Sequence, residues 1–586
     1  MTRFARNLEG QKGEVHKIER PESLFKFRSA RFNAFHAPLA RILSQARQLG
    51  ACSVVMETLP EEGELAEESE DLRTRLGTTL ETQVWRLCFF TGRPSYPALR
   101  DSDPGEFLGY AVLRQDWDGV GDPIARIYES VLARQDRGHN YVRGDLIWQI
   151  RCGHDTFEVC GHLFAEQNDC TNVCAHSALR TVCARHMPDQ DLSYRQINRW
   201  LGIDHGTERH VGAEHNESGT SRGLDLGSMG EVLRQADIPH IIHYYGPPRL
   251  AFSIGNQATP IRPPCSYQRT LYGGLESGYP ALLIFGRVQT LPLQADGLPL
   301  NPKNSLYHVI PIFGHTFNQD MWVPRAETSW FEFRIGAGTR YLPSDLWLSA
   351  FIAHDDSLGS NYCIPKHYLP PLEINEQRLH ESQSASGVMA VIQTLPRTVV
   401  RDPIDAEVQA LTVLSKILEG KRMEIYKILP HESMRWFHHI AHELKAGHLV
   451  LRPLLMNQEA YHSHLKKLFG WKHNEQEAER ISAEYLEATF SFCPADNAFF
   501  WMVEVSVMEL FPANLRKLGE VLITATDDNL VLDDATSLLA LRIPGIGLVR
   551  TGGDWSPDRL QRIPAGIESH AQVFGTEPKD PFSETN

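Results

Sequence analysis

The chain has 586 residues, 42% hydrophobic and 22% charged, which is the balance of a soluble globular protein, and its length implies about three or four domains. With 58 basic against 73 acidic residues, the formal charge of -15 is a poor match to nucleic-acid phosphate and argues against DNA or RNA as a principal partner. Residues Met1 to Glu9 carry charge where a signal peptide needs an apolar core, and no later apolar run is long enough to cross a bilayer, so a cytoplasmic protein without a membrane partner is expected.

Residues 1 to 140 read as an accessory α+β region. Leu39, Ile42, Leu43 and Ala46 recur at helical spacing between Phe35 and Gly50, while Cys52 to Thr58, Gln83 to Phe90 and Phe107 to Arg114 read as strands, with Gly109 a candidate bulge. The acidic run Glu61 to Glu70 is expected to be a solvated loop or helix face. Asp145 to Ile150 and Thr156 to Cys160 form a strand pair turned at Gly153 to Asp155. Cys152-Gly153-His154 and Cys160-Gly161-His162 invite a zinc reading, but the short Cys-x-x-Cys knuckle is absent and the expected number of bound metals and cofactors is none. Ten cysteines in a chain this long do not suggest a disulfide scaffold.

Next comes Gln167-Asn-Asp-Cys170-Thr-Asn-Val-Cys174-Ala-His-Ser-Ala-Leu-Arg180, a cysteine at the start of a helix of small and apolar residues. In a helix's first turn, unpaired N-H groups and the dipole favour the thiolate, the form that attacks carbonyl carbon. Cys174 is therefore the expected nucleophile, with Cys170 as the alternative, and Gln167 upstream is a candidate oxyanion donor. His176 is expected to be a satisfied core histidine, since it points to a different helix face from Cys174. Ser193 to Leu201 and Ser228 to Ala236 read as short helices around a loop at His205 to Ser221, and strand character returns at Ile241 to Tyr244. Glu276 to Gly286 reads as a helix end, a Gly-x-Pro turn and a buried strand. Tyr307 to Gly314 is a short apolar run that places His308 at its beginning, the position of a distant base for Cys174.

Gln, a short turn, Cys and a small-residue helix, followed by the Gly-x-Pro strand and the His strand, resemble the papain-like cysteine peptidase superfamily, especially its bacteriocin-leader-processing (double-glycine peptidase) branch. The likeness spans roughly 145 to 365, with Gln167 seven residues before Cys174 where the family places it five or six before. The resemblance implies a nucleophile helix packed on an antiparallel sheet and an acyl-enzyme chemistry on a peptide or protein substrate. It also implies an Asn or Asp after the His strand that orients the imidazole, for which Asn318 and Asp320 both fit. Acyl transfer to an amine, as in a transglutaminase-like enzyme, and a catalytically inactive peptide-binding module are the alternatives, and a metal-dependent hydrolase is a further rival.

Beyond it, Trp347 to Ala353 reads as a strand running into His354-Asp355-Asp356-Ser357, whose carboxylates suit either a metal, participation in chemistry or a plain charged turn. A separate unit is expected to open with a strand at Val388 to Leu395, followed by a helix from Ile404 to Leu418. His438 and His442 lie one turn apart on a second helical stretch, but Ala446 stands where a zincin motif needs its second His. Phe499 to Leu510 and Leu515 to Thr524 form a strand pair, followed by Ser537 to Ile543. The fold class expected is α+β, with an accessory region at 1–140, a papain-like domain at 141–385, a C-terminal α+β domain at 386–574 and a disordered tail at 575–586. The sequence leaves the oligomeric state open.

Overall fold

The computed structural model describes residues 2–4, 12–18, 20, 22–23, 27, 37–76, 82–97, 99, 104–117, 123–134, 140–142, 146–168, 173–187, 190–203, 224–245, 266–290, 306–317, 340–369, 383–396, 398–420, 431–470, 473–491, 498–508, 510–511, 516–525, 538–544, 546–550, 560–562 and 570–571. The architecture is α+β, built mainly on antiparallel sheets. Among the described residues, no helix is long and apolar enough to cross a membrane. The loop expected at His205 to Ser221 and the tail from 575 lie outside the described residues.

Near the N-terminus, β1 (Thr2–Phe4) is set apart, while β2 (Lys12–Lys17), β3 (Ser53–Leu59), β4 (Val84–Phe90), β5 (Phe107–Trp117) and β6 (Pro123–Leu132) form an antiparallel sheet in sequence order. Helix α1 (Ala37–Gln48) lays Leu39, Ile42, Leu43 and Ala46 on one face of it, against Val54, Leu87, Ala111 and Ile127. Gly109 has φ +127° beside a register shift, and a Cβ there would stand 2.2 Å from the Val131 carbonyl oxygen, so the bulge accepts only glycine. Glu62, Glu67 and Glu70 of the acidic run are exposed, as expected. The run enters helix α2 (Glu64–Leu76), where Glu68 is instead buried, paired with Arg114 at 2.8 Å and accepting the Asn168 amide at 2.9 Å. Satisfied charge is what makes that burial tolerable.

The short strand β7 (Asn140–Tyr141) is followed by the expected hairpin, β8 (Ile147–Cys152) and β9 (Asp155–Cys160), which pairs with β1 and covers the other face of the N-terminal sheet with Trp148, Ile150, Phe157 and Val159. Register sets Cys152 opposite Asp155 and Cys160 opposite Ile147, at opposite ends of the hairpin, so the two Cys-Gly-His units do not share a metal.

Helices α3 (Cys174–His186), α4 (Tyr194–Trp200) and α5 (Leu226–Gln235) lead to β10 (His240–Tyr244), then to α6 (Tyr267–Glu276), β11 (Ala281–Thr290) and β12 (Leu306–Phe317). After β13 (Leu342–Pro343) come β14 (Leu348–Asp355), β15 (Gly359–Pro365) and β16 (Gln383–Thr394). The central sheet runs β10-β16-β11-β12-β14-β15, with β7 beside β12. The pleat sends successive side chains to opposite faces, and both faces are covered, so adjacent residues are buried alike. Leu282, Ile284, Val309 and Ile392 meet α3 and α5, while Leu283, Ile310, Ile312 and Val391 meet α6. The boundary expected between 385 and 386 is corrected here, since it falls inside β16, a strand hydrogen-bonded on both sides within the central sheet.

The C-terminal sheet runs β13-β17-β18-β20-β21-β22-β23, with β17 (Leu449–Met456), β18 (Phe500–Val507), β20 (Gly519–Thr524), β21 (Leu538–Ile543), β22 (Ile546–Arg550) and β23 (Leu560–Arg562). The expected β18–β20 pair is present. Helices α7 (Pro403–Gly420) and α8 (His431–Ala446) cover one face, and α9 (Gln458–Phe469) and α10 (Glu475–Phe490) the other. Strand β19 (Arg516–Lys517) pairs with β24 (His570–Ala571). Glu276 at the end of α6 ties this sheet to the central one, accepting from Arg452 at 2.6 Å and from His315 at 2.8 Å, while Arg452 also reaches Glu504 at 3.0 Å. Burial pushes the Glu276 carboxyl up, but Arg452 and His315 outweigh it and hold the group at about 2.

Candidate active site

Cys174 is the first residue of α3, with Val173 in extended conformation before it. The helix holds its place through small residues, as Ala175, Ala178, Leu179 and Val182 pack on Leu282, Ile284 and Val309. His176 is the buried, satisfied histidine the sequence implies. Its Nε2 lies 3.0 Å from the Asn198 Oδ1, an acceptor, so Nε2 carries the proton and Nδ1 accepts from the Val173 N-H at 3.4 Å. The side chain thereby closes the backbone at the entry to the nucleophile turn.

His308 stands near the start of β12, near enough to Cys174 for the thiol to count among the groups that raise its imidazole. Antiparallel pairing of β12 with β14, with Ile312 opposite Ala353, carries the end of β14 back to the beginning of β12. There the His308 Nε2 lies 3.2 Å from the Asp355 Oδ2 and 3.4 Å from the Asp356 Oδ1. With Nε2 facing the carboxylates, Nδ1 is the nitrogen left for the thiol. Phe285, opposite His308 on β11, presents a perpendicular ring at 5.5 Å and fixes the imidazole plane. Burial pulls the imidazolium down, but the hydrogen bond to Asp355, the contact with Cys174 and the charge of Asp356 more than offset it, raising His308 to about 10. Asp355 moves the opposite way: burial raises it, and His308 with the Leu358 and Ser357 N-H groups lowers it further than burial lifts it.

The acid turn is itself braced. Asp355 Oδ1 accepts from the Ser357 and Leu358 N-H groups, both at 2.9 Å, which presents Oδ2 to the ring. From outside, α1 grips the same hairpin: Arg41 donates to the carbonyls of Ser360 at 2.6 Å and Asn361 at 2.7 Å, and Gln45 donates to Ser360 at 2.8 Å. Gly359 has φ +111°, with Arg41 and Pro38 against the position a Cβ would take. The N-terminal sheet thus holds the turn that holds the histidine.

Gln167 reaches the same place. Residues 164–166 run beside β6, with Phe164 and Ser130 exchanging backbone bonds at 2.8 Å and Glu166 accepting from the Ile127 N-H at 2.8 Å. Arg126 donates to the Gln167 carbonyl at 3.2 Å, Asn168 is anchored on Glu68, and the Gln167 Nε2 lies 3.4 Å from the Ser357 Oγ on the acid turn.

Of the sequence-predicted residues, Cys174 and His308 are brought together, and Gln167 reaches the acid turn behind His308. Asn318 and Asp320, and the alternative nucleophile Cys170, lie outside the described residues. Asp355 and Asp356 take the position beside Nε2. The signal that pointed to them was the doublet itself at the end of an apolar strand. Of the other metal-like patterns, His442 is 76% exposed on α8 beside Glu443. Glu57, Cys88 and Cys152 cluster in the N-terminal core, where Glu57 is already engaged by Arg86 at 2.7 Å and by the Gly153 N-H at 2.8 Å. Comparison with protein-family models, with curated proteins and with solved structures finds no match for this chain.

Proposed function

We propose that the protein is a cysteine-dependent hydrolase that cleaves an amide bond in a peptide or protein. The observation that carries this reading is the series Cys174–His308–Asp355, a thiol at a helix start beside an imidazole whose far nitrogen is held by a buried carboxylate. That is the arrangement nucleophilic catalysis requires: nucleophile, base and orienting group in series. It matches the papain-like order of elements, with a nucleophile helix against an antiparallel sheet and the histidine on a following strand.

The thiolate of Cys174, with the His308 imidazolium as counter-ion, attacks the carbonyl carbon. The Gln167 side-chain N-H and the Cys174 backbone N-H stabilise the oxyanion. His308 then gives its proton from the sulfur-facing nitrogen to the departing amine, leaving an acyl thioester on Cys174. Water, deprotonated by the now neutral imidazole, attacks the thioester, releasing the acid and restoring the thiol–imidazole pair. Asp355, supported by Asp356, keeps the ring oriented and its positive charge compensated throughout.

Alkylation of the folded protein across pH, mapped by peptide mass, tests the pair directly. Cys174 reacts fastest near neutral pH in the wild type and slows in His308→Ala. Equal reactivity of Cys174 and the other cysteines would remove the basis for a nucleophile and leave a binding module.

A further inference from the structure

We propose that His308, Asp355 and Asp356 form a zinc-binding site, through which the divalent ion reversibly shuts the Cys174–His308 pair. One donor atom from each residue lies within 4.8 Å of the others. The separations, 3.2 Å from Nε2 to the Asp355 oxygen and 3.4 Å to the Asp356 oxygen, approach those around a bound ion. Donors about 2.0–2.2 Å from zinc in a tetrahedron stand about 3.3–3.6 Å apart, so three ligands need only small adjustments. One imidazole nitrogen and two carboxylate oxygens are also a donor set zinc accepts.

Two features distinguish this cluster from an ordinary acidic turn. Asp355 is pre-oriented by two backbone N-H groups on its other oxygen, and the ring by Phe285, so the donors converge without an ion to gather them. Asp355 and Asp356 are both buried, while the His308 side chain is 26% exposed, so an ion enters from the solvent side of the imidazole and its fourth position faces water. The Glu57–Cys88–Cys152 cluster lacks these features, because a guanidinium already occupies its carboxylate.

Binding exchanges one cation for another. The Nε2–H bond breaks and its proton goes to water, while one Zn–N and two Zn–O bonds form, with no change of oxidation state. The remaining Nδ1–H of a zinc-bound neutral imidazole is a weaker acid than an imidazolium, so the leaving amine is not protonated. That inhibitory consequence rests on the hydrolase reading; binding of the ion does not.

The test is calorimetric titration of the full chain with Zn2+, in wild type, Cys174→Ala, Asp356→Asn and His308→Gln, each checked for folding by its thermal melt. One zinc per chain is expected in wild type and in Cys174→Ala, and at least about tenfold weaker binding in the other two. Weak sites on surface histidines are common to all four proteins and cancel in the comparison. Unchanged affinity in Asp356→Asn, or in His308→Gln should the aspartate variant not fold, overturns the proposal. So does loss of binding in Cys174→Ala, which would make the site a thiol site. Fast Cys174 alkylation without zinc binding leaves the hydrolase standing and removes the zinc site, whereas zinc binding with an unreactive Cys174 does the reverse.

Discussion

Replacing Asp355 by Asn separates the charge of the acid from its shape. The amide oxygen of Asn still accepts from the Ser357 and Leu358 N-H groups, now made at 2.9 Å each, so the turn keeps its form. What changes is the atom facing His308, 3.2 Å from Nε2, which becomes an N-H donor. The ring answers by accepting at Nε2, leaving its single proton on the nitrogen that faces the sulfur and no proton-accepting capacity there. A hydrogen bond to a charged partner is worth about 1.5–3 kcal/mol, so His308 falls from its raised value, with Asp356 at 3.4 Å keeping part of the effect. Cys174 alkylation at pH 7 is expected to slow by about ten- to a hundredfold, with the thermal midpoint lowered only by the share of stability that the His308 charge loses. Alkylation as fast as wild type in Asp355→Asn would refute the series Cys174–His308–Asp355. An equal loss confined to Asp356→Asn would move the orienting role to the neighbouring residue.

Once a substrate is in hand, Gln167→Ala is expected to lower kcat by about a hundredfold or more with little change in KM and near-normal Cys174 alkylation, the pattern of a lost oxyanion donor. Glu68→Ala leaves Arg114 buried without its carboxylate and frees Asn168, so urea unfolding should show a loss of about 3–5 kcal/mol. Arg452→Met takes the guanidinium from both buried carboxylates, leaving Glu276 with His315 and Glu504 with the more distant Lys517, and is expected to cost about 3 kcal/mol, again read by urea. The folded-state value of His308 lies near 10, above the unfolded one, so its charge contributes stability fully below about pH 6.5 and loses it as pH rises toward 10. The stability gap between wild type and His308→Ala, followed by urea unfolding, should therefore narrow from pH 6 to pH 10.

The parts of the site that were legible in the sequence are the ones set by local pattern. Cys174 is recognisable because a polar turn precedes a run of Ala, Ser and Leu at helical spacing, and His308 because it opens an apolar strand; both patterns fix position within a few residues. The acid was not assigned, because 47 residues separate Asp355 from His308 and only the β12–β14 register joins them. The resemblance implied Asn318 or Asp320 instead, and both lie outside the described residues. The same blindness to register misplaced β16, whose apolar stretch gives no sign that it fits between β10 and β11 rather than opening the next unit.

Glu68 shows the limit from the other side. A charge run reads as wet because most such runs are, and nothing local announces that Arg114 on β5 and Asn168 beside the oxyanion candidate will meet one of its carboxylates. Yet this buried carboxylate, together with Arg41 and Gln45 on α1 and the backbone bonds of β6, joins the N-terminal sheet to the two segments bearing Gln167 and Asp355. Papain-like order alone would assign that sheet to an appendage. The hydrogen bonds make it a brace, so substitutions in α1, far in sequence from Cys174, should change the chemistry at His308 before they change the fold of the central sheet.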